Sequence, residues 1–192
     1  MKKMTPLLNL LFILLLTAQV LGEPPNVSAT FVEKRLDVCL RELCEQAKLD
    51  LVIDSSVDDK TLTASFKQAH LSRALGALLK GSGAEYRLVG STIVVGRSDI
   101  VEKVSKVLAE PKPGSRVSVD FVIADLRYFL FYMAKSQGLE STIADEVQGE
   151  VTLTFKSISI ETAVQVALAL QERDFVWEKL GSRVYVRSSE QS

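Results

Sequence analysis

Glu150-Val151-Thr152-Leu153-Thr154-Phe155, reached through the turn Ala144 to Glu150, alternates apolar and polar side chains residue by residue. Such alternation marks a strand with one buried face and one wet face. About 90 residues upstream, Thr61-Leu62-Thr63-Ala64-Ser65-Phe66 follows a polar turn, Asp54 to Lys60, in the same way. The likeness extends outward from these strands in both directions.

Upstream of each turn is a short strand, Leu49 to Ile53 and Leu139 to Ile143. Before it, Leu36, Leu40, Leu43 and Ala47 share one helix face in the first stretch. Leu126, Phe129, Leu130 and Met133 do so in the second. Spacings of three, four and seven define an amphipathic helix. Each stretch opens on an alternating strand, Val27 to Phe31 and Val117 to Phe121. Downstream, Leu71, Ala74, Leu75, Leu78 and Leu79 line a second helix, matched by Ile160, Ala163, Val164, Ala167 and Leu168. Ser72 and Ser159 are expected to cap these helices, and Gly81 to stop the first. A hairpin closes each stretch, turning at Gly90-Ser91 and at Gly181-Ser182.

The expectation is an α+β chain of two tandem small β-α-β-β-α-β-β domains, helices packed on small sheets. The first copy is placed at 23–98 and the second at 115–189, each with a thin but adequate core. Between them, 99–114 reads as a short helix, with Ile100, Val101, Val104, Val107 and Leu108 on its apolar face. Pro111-Lys112-Pro113-Gly114 ends that helix. Residues 190–192 form a tail.

The chain has 192 residues, 47% hydrophobic and 24% charged, with a formal charge of -1. That balance is globular, and its scattered lysines and arginines form no basic stripe, which argues against nucleic acid. At the N-terminus, Lys2 and Lys3 precede an apolar run from Leu7 to Leu16, and Glu23-Pro24-Pro25 follows Gly22. The run is half the length of a membrane span, so residues 1–22 read as a cleaved signal peptide. The expected location is the periplasm, with outer-membrane association as an extension of that reading. Asn26-Val27-Ser28 matches a glycosylation sequon and is taken as chance. Cys39 and Cys44, five apart on one helix, are too distant for a disulfide and are expected as buried free thiols.

The order of elements resembles the short N-terminal domain shared by bacterial secretins and TonB-dependent transducers. The second copy also resembles the repeated periplasmic domains of secretins. The likeness rests on Val119-Asp120-Phe121, Leu126, Leu130, Gln137-Gly138-Leu139 and Val147-Gln148-Gly149-Glu150-Val151-Thr152-Leu153. Ile160, Ala163, Phe175 and Val184-Tyr185-Val186 complete it. In the first copy Phe31, Leu36, Leu40, Gln46-Ala47-Lys48-Leu49, Phe66, Ala74-Leu75, Leu78-Leu79, Gly81-Ser82-Gly83 and Tyr86 carry it. The Val-x-Gly-x-Val-Thr-Leu run is its most specific element. Lys48 departs from the pattern, which has glycine after the first helix. No barrel-forming region follows the second copy. The resemblance implies a periplasmic part that docks partners: secretin subunits or other envelope machine subunits of a type IV pilus or type II secretion system. A homo-oligomer is a further expectation. The alternative is a detached signal-receiving domain that contacts a membrane regulator.

Little in the sequence suggests bond chemistry. His70 stands alone before a helix, with no oriented nucleophile beside it. Cys39, Cys44 and His70 lack a fourth zinc ligand. Asp54 and Asp58-Asp59 lack the spacing of a calcium loop and read as a solvated turn. Gly81-Ser82-Gly83 follows a helix instead of opening one, so it cradles no phosphate. No catalytic residue, cofactor, metal or small-molecule substrate is expected. The informative feature is Tyr128, Phe131 and Tyr132, which point away from the core face of their helix, where the first copy has Val38, Arg41 and Glu42, expected in solvent. Burial under the linker helix or the other copy is the first expectation; a partner-binding surface is the alternative.

Overall fold

The computed structural model describes residues 25–57 and 60–189. The expected signal peptide at 1–22, the pair Asp58-Asp59 and the expected tail at 190–192 lie outside the described residues. The protein has an α+β fold. Copy one runs β1 (Asn26–Arg35), α1 (Leu36–Gln46), β2 (Asp50–Ile53), β3 (Thr61–His70), α2 (Leu71–Leu79), β4 (Glu85–Val89) and β5 (Thr92–Gly96). The linker helix α3 (Ser98–Ala109) follows. Copy two repeats the order as β6 (Arg116–Asp125), α4 (Leu126–Ser136), β7 (Glu140–Ile143), β8 (Glu150–Ser159), α5 (Ile160–Ala169), β9 (Phe175–Leu180) and β10 (Arg183–Ser188).

The expected helix faces are the observed ones. Leu36, Leu40, Leu43, Leu71, Leu75, Leu126, Phe129, Leu130, Met133 and Ile160 are all buried. Burial of one such large side chain stabilises by about 1.5–3 kcal/mol, which fixes each helix on its sheet. Caps set two of the starts: Asp125 accepts from the Tyr128 amide at 2.8 Å and Ser159 from the Thr162 amide at 3.2 Å. Ser72 does not cap α2. His70 holds that position, and Ser72 lies inside the first turn with its Oγ 2.7 Å from His70 Nδ1.

β1 and β6 run four residues further than their alternation suggests. Each carries a bulge at which Glu33 and Ile123 adopt φ +48°. A threonine hydroxyl satisfies the amide there in both copies: Thr63 accepts from Glu33 N at 3.1 Å, Thr152 from Ile123 N at 3.0 Å. A bulge shifts the side-chain phase, which hides the strand from a period-two reading.

The two copies do not form two separate sheets. β1 pairs with β3 alone, and β7-β10-β9 form a three-stranded sheet. The largest sheet, β4-β5-β2-β8-β6, has strands from both copies. Its seam is antiparallel: Leu51 faces Thr154, Val52 faces Leu153 and Ile53 faces Thr152. The Asp50 carboxylate also accepts from the Lys156 amide at 2.9 Å. Leu51, Ile53, Ile93 and Val95 point into the core of copy one, while Val52 and Val94 join the core of copy two. Each copy has a core of its own, and that of copy two also takes in Val52, Val94 and the apolar face of the linker helix.

α3 bridges the seam, packing on β4 and β5 of copy one and on α5 of copy two. Lys103 Nζ reaches the Asp174 carboxylate at 2.6 Å, and the Ser159 hydroxyl donates to the Lys112 carbonyl at 2.6 Å. α5 accommodates this because it is apolar on two sides, with Val166 and Ala169 buried as well as the expected face.

Candidate docking edge and aromatic surface

The unusual side chains of α4 lie beside β7. Tyr128, Phe131 and Tyr132 are 60%, 48% and 46% exposed. Their burial, the first expectation, is overturned because α3 covers α5 and leaves α4 open. They are held without being covered. The Phe121 ring of β6 lies 5.7 Å from Tyr132, 6.4 Å from Tyr128 and 5.1 Å from buried Phe129. These separations suit edge-to-face aromatic contact. Lys135 Nζ sits 5.8 Å from the Phe131 ring centre.

Phe131 borders β7 next to Ser141, Thr142 and Glu140. Arg127, from the first turn of α4, donates to the carbonyls of Ala144 at 2.6 Å and Ile143 at 3.2 Å, fixing the end of the strand. Glu140 is paired with Arg183, and this hydrogen-bonded contact raises the Arg183 pKa.

The same helix face in copy one was expected in solvent and is instead half-buried. Arg41 Nη1 donates to the Asp120 carboxylate of copy two at 3.0 Å, and Glu42 pairs with Lys34. Copy one uses this face at the seam; copy two displays it.

The backbone of β7 shows the same contrast. Glu140 N donates to Ser182 O at 3.0 Å and Ala144 N to Val186 O at 2.9 Å, so those amides face β10. Alternation along the strand then directs the amides of Ser141 and Ile143 to the other edge. Among the described residues, β10 is the one strand that pairs with β7. β2 has the same geometry, with Asp50 N on Ser91 O at 2.8 Å and Asp54 N on Val95 O at 2.8 Å, but β8 occupies its second edge. The two pairs of strands also differ in how their faces are covered. Leu51-Val52-Ile53 and Ile93-Val94-Val95 are apolar on both faces, whereas Glu140-Ser141-Thr142 and Val184-Tyr185-Val186 are not. A strand apolar on both faces is a covered one.

The remaining candidates are quiet. His70 lies at the start of α2 beside Ser72. Cys39 and Cys44 are buried and free. Burial pushes the Cys39 thiol up to about 11, with Glu42 adding to the effect, and burial pushes Cys44 up to about 12. Both are protonated at neutral pH and poor nucleophiles. Asp54 is buried, not solvated as expected. It accepts from the Ser56 hydroxyl and from the Arg97 amide at 3.4 Å. Gly96 permits this, since a Cβ there would lie 2.5 Å from Asp54 Cβ. Among the described residues, no three His, Cys, Asp or Glu side chains gather as a metal-ligand set.

Fold and surface together define an α+β protein of two repeated units, joined by strand pairing and carrying a second, open edge beside exposed aromatics. No protein-family model and no curated protein matches the chain.

Proposed function

We propose that this protein is a non-enzymatic binding module of the bacterial envelope, an exported accessory scaffold of a secretin-type machine such as a type IV pilus or type II secretion system. The observation that carries the reading is the β7 edge, flanked by Phe131 and Tyr128 and equivalent to the edge that copy one already uses for docking. An extended strand with apolar side chains fits there, its backbone bonded to Ser141 and to the Ile143 amide and a side chain resting on Phe131. The resemblance in element order to secretin and transducer domains supports an envelope partner. The buried, protonated thiols are poor nucleophiles, which fits a role without bond chemistry.

The test is recovery of the protein from cross-linked envelopes, with mass spectrometry of whatever accompanies it. A parallel sample carries Tyr128→Ser and Phe131→Ser. The expected result is a secretin or pilus subunit with the wild type and its loss in the folded double variant. Recovery of a membrane regulator instead replaces the scaffold reading with a signal-receiving one. Recovery of neither removes both.

A further inference from the structure

We infer that the open β7 edge accepts the β3 strand of a second copy of this chain, giving head-to-tail association that repeats between molecules the seam found within one. The inference rests on reading β7 as a docking edge but needs no other envelope component.

The seam requires two strands with complementary open edges. Copy two supplies the donor β8, and copy one supplies the acceptor β2. The repeat supplies a second acceptor, β7, and a second donor, β3, in two separate sheets. Neither has a second strand among the described residues, since β3 pairs with β1 alone and β7 with β10 alone; Arg127, which holds the Ile143 carbonyl at 3.2 Å, gives way for β7 to accept one. Helix starts Leu36 and Leu126 lie 90 residues apart, and Leu71 and Ile160 lie 89 apart, so every seam residue has a counterpart. Thr152 and Thr154 correspond to Thr63 and Ser65. Leu51 and Ile53 correspond to Ser141 and Ile143.

The donor strands match in detail. Thr154 Oγ1 lies 2.8 Å from Asp120, and Ser65 Oγ lies 3.1 Å from Thr30 Oγ1 at the equivalent place. Close side chains of this kind mark pairs whose backbone groups point away from each other. Ser65, like Thr154, therefore directs its amide to the outer edge. The intermolecular register follows: Ser141 opposite Ser65, Thr142 opposite Ala64 and Ile143 opposite Thr63. Glu140 then stands where Asp50 accepts the Lys156 amide, facing the Lys67 amide. Phe131 stands where Arg41 meets Asp120, over Thr30 of the second copy.

The intermolecular seam lacks two supports of the internal one. α3 spans only the internal seam. Thr142 and Tyr185 occupy the positions of Val52 and Val94, so no shared core forms. Association is accordingly reversible and concentration-dependent. One donor and one acceptor per chain make the contact heterologous, so it extends beyond a dimer unless the rotation closes a ring.

Sedimentation velocity of the purified protein from about 1 µM to about 1 mM tests this range of affinities. The weight-average mass is expected to climb past twice that of the 21.1 kDa chain. Ser141→Pro and Ser65→Pro each remove an outward amide without deleting a bond inside their own sheet, and each is expected to hold the protein at monomer mass. Circular dichroism establishes that both variants fold. An equimolar mixture of the two is expected to restore dimers and nothing larger, because one variant keeps its donor and the other its acceptor. A monomer throughout, a dimer indifferent to Ser65→Pro, or a mixture that stays monomeric overturns the inference. A monomer that still recovers a secretin subunit from envelopes overturns self-association and leaves the docking role standing.

Discussion

Asp50–Ile53 and Glu140–Ile143 hold the same place in their copies, each parallel to the hairpin strand that follows and each under the first helix of its copy. The first is fully buried with both edges paired, and the second is half-exposed with one edge open. The difference lies in what arrives at the second edge, and the side chains record it. Leu51, Val52 and Ile53 suit apolar surroundings on both faces, whereas Glu140, Ser141 and Thr142 tolerate water. A repeat thus produces one internal joint and leaves the materials for another.

The comparison can be broken most forcefully at the joint. Leu153→Ala, in the strand shared by both copies, is expected to cost about 2–5 kcal/mol in urea unfolding. Trp177 fluorescence follows copy two, and thiol labelling of Cys39 and Cys44 follows copy one. Coincident midpoints identify one cooperative unit; separated midpoints show that the copies unfold independently.

Alkaline pH should distinguish the copies next, because Phe129 and Ala134 replace the two cysteines in copy two. Unfolded thiols ionise near 9, and the folded ones at about 11 and about 12. Below pH 9 the full stabilisation is present. Above it the unfolded chain releases protons that the folded chain retains, so stability falls until the folded thiols also titrate. Urea midpoints between pH 8 and 11 measure that fall, and Cys39→Ala with Cys44→Ala should flatten it.

A smaller effect sharpens the comparison at the end of the first helix. Lys48 has φ +59° where Gly138 has φ +69°. Lys48→Gly is expected to stabilise by about 1 kcal/mol and Gly138→Ala to destabilise by about 1 kcal/mol, both read from urea midpoints. The smallest effect belongs to the exposed aromatics. Phe131→Ala should change the stability by no more than about 0.5 kcal/mol, since its ring lies on the surface. A loss of several kcal/mol would place it in the core.

Much of the fold was legible in the sequence because helix and strand periods are local. Leu126, Phe129, Leu130 and Met133 announce their burial by spacing alone, and Glu150 to Phe155 announce a strand. The seam was not legible in the same way. Pairing between β2 and β8 depends on which edges a whole copy leaves open, and no window of residues contains that. Asp54 was misread for a related reason. It sits in a polar turn, yet it finds its partners at Ser56 and Arg97. Tyr128, Phe131 and Tyr132 were recognisable as out of place on their helix, but their exposure depends on where α3 settles.

The seam also sets a sequence of events in time. Asp50 and its partner Lys156 are 106 residues apart, so copy one is made long before the strand that covers it. β2 stays uncovered from the time copy one forms until β8 folds against it. In that interval Leu51 and Ile53 offer unpaired amides and Val52 and Val94 offer bare apolar surface, the conditions under which nascent chains stick to one another. A chain interrupted between the copies would keep that edge and that surface uncovered.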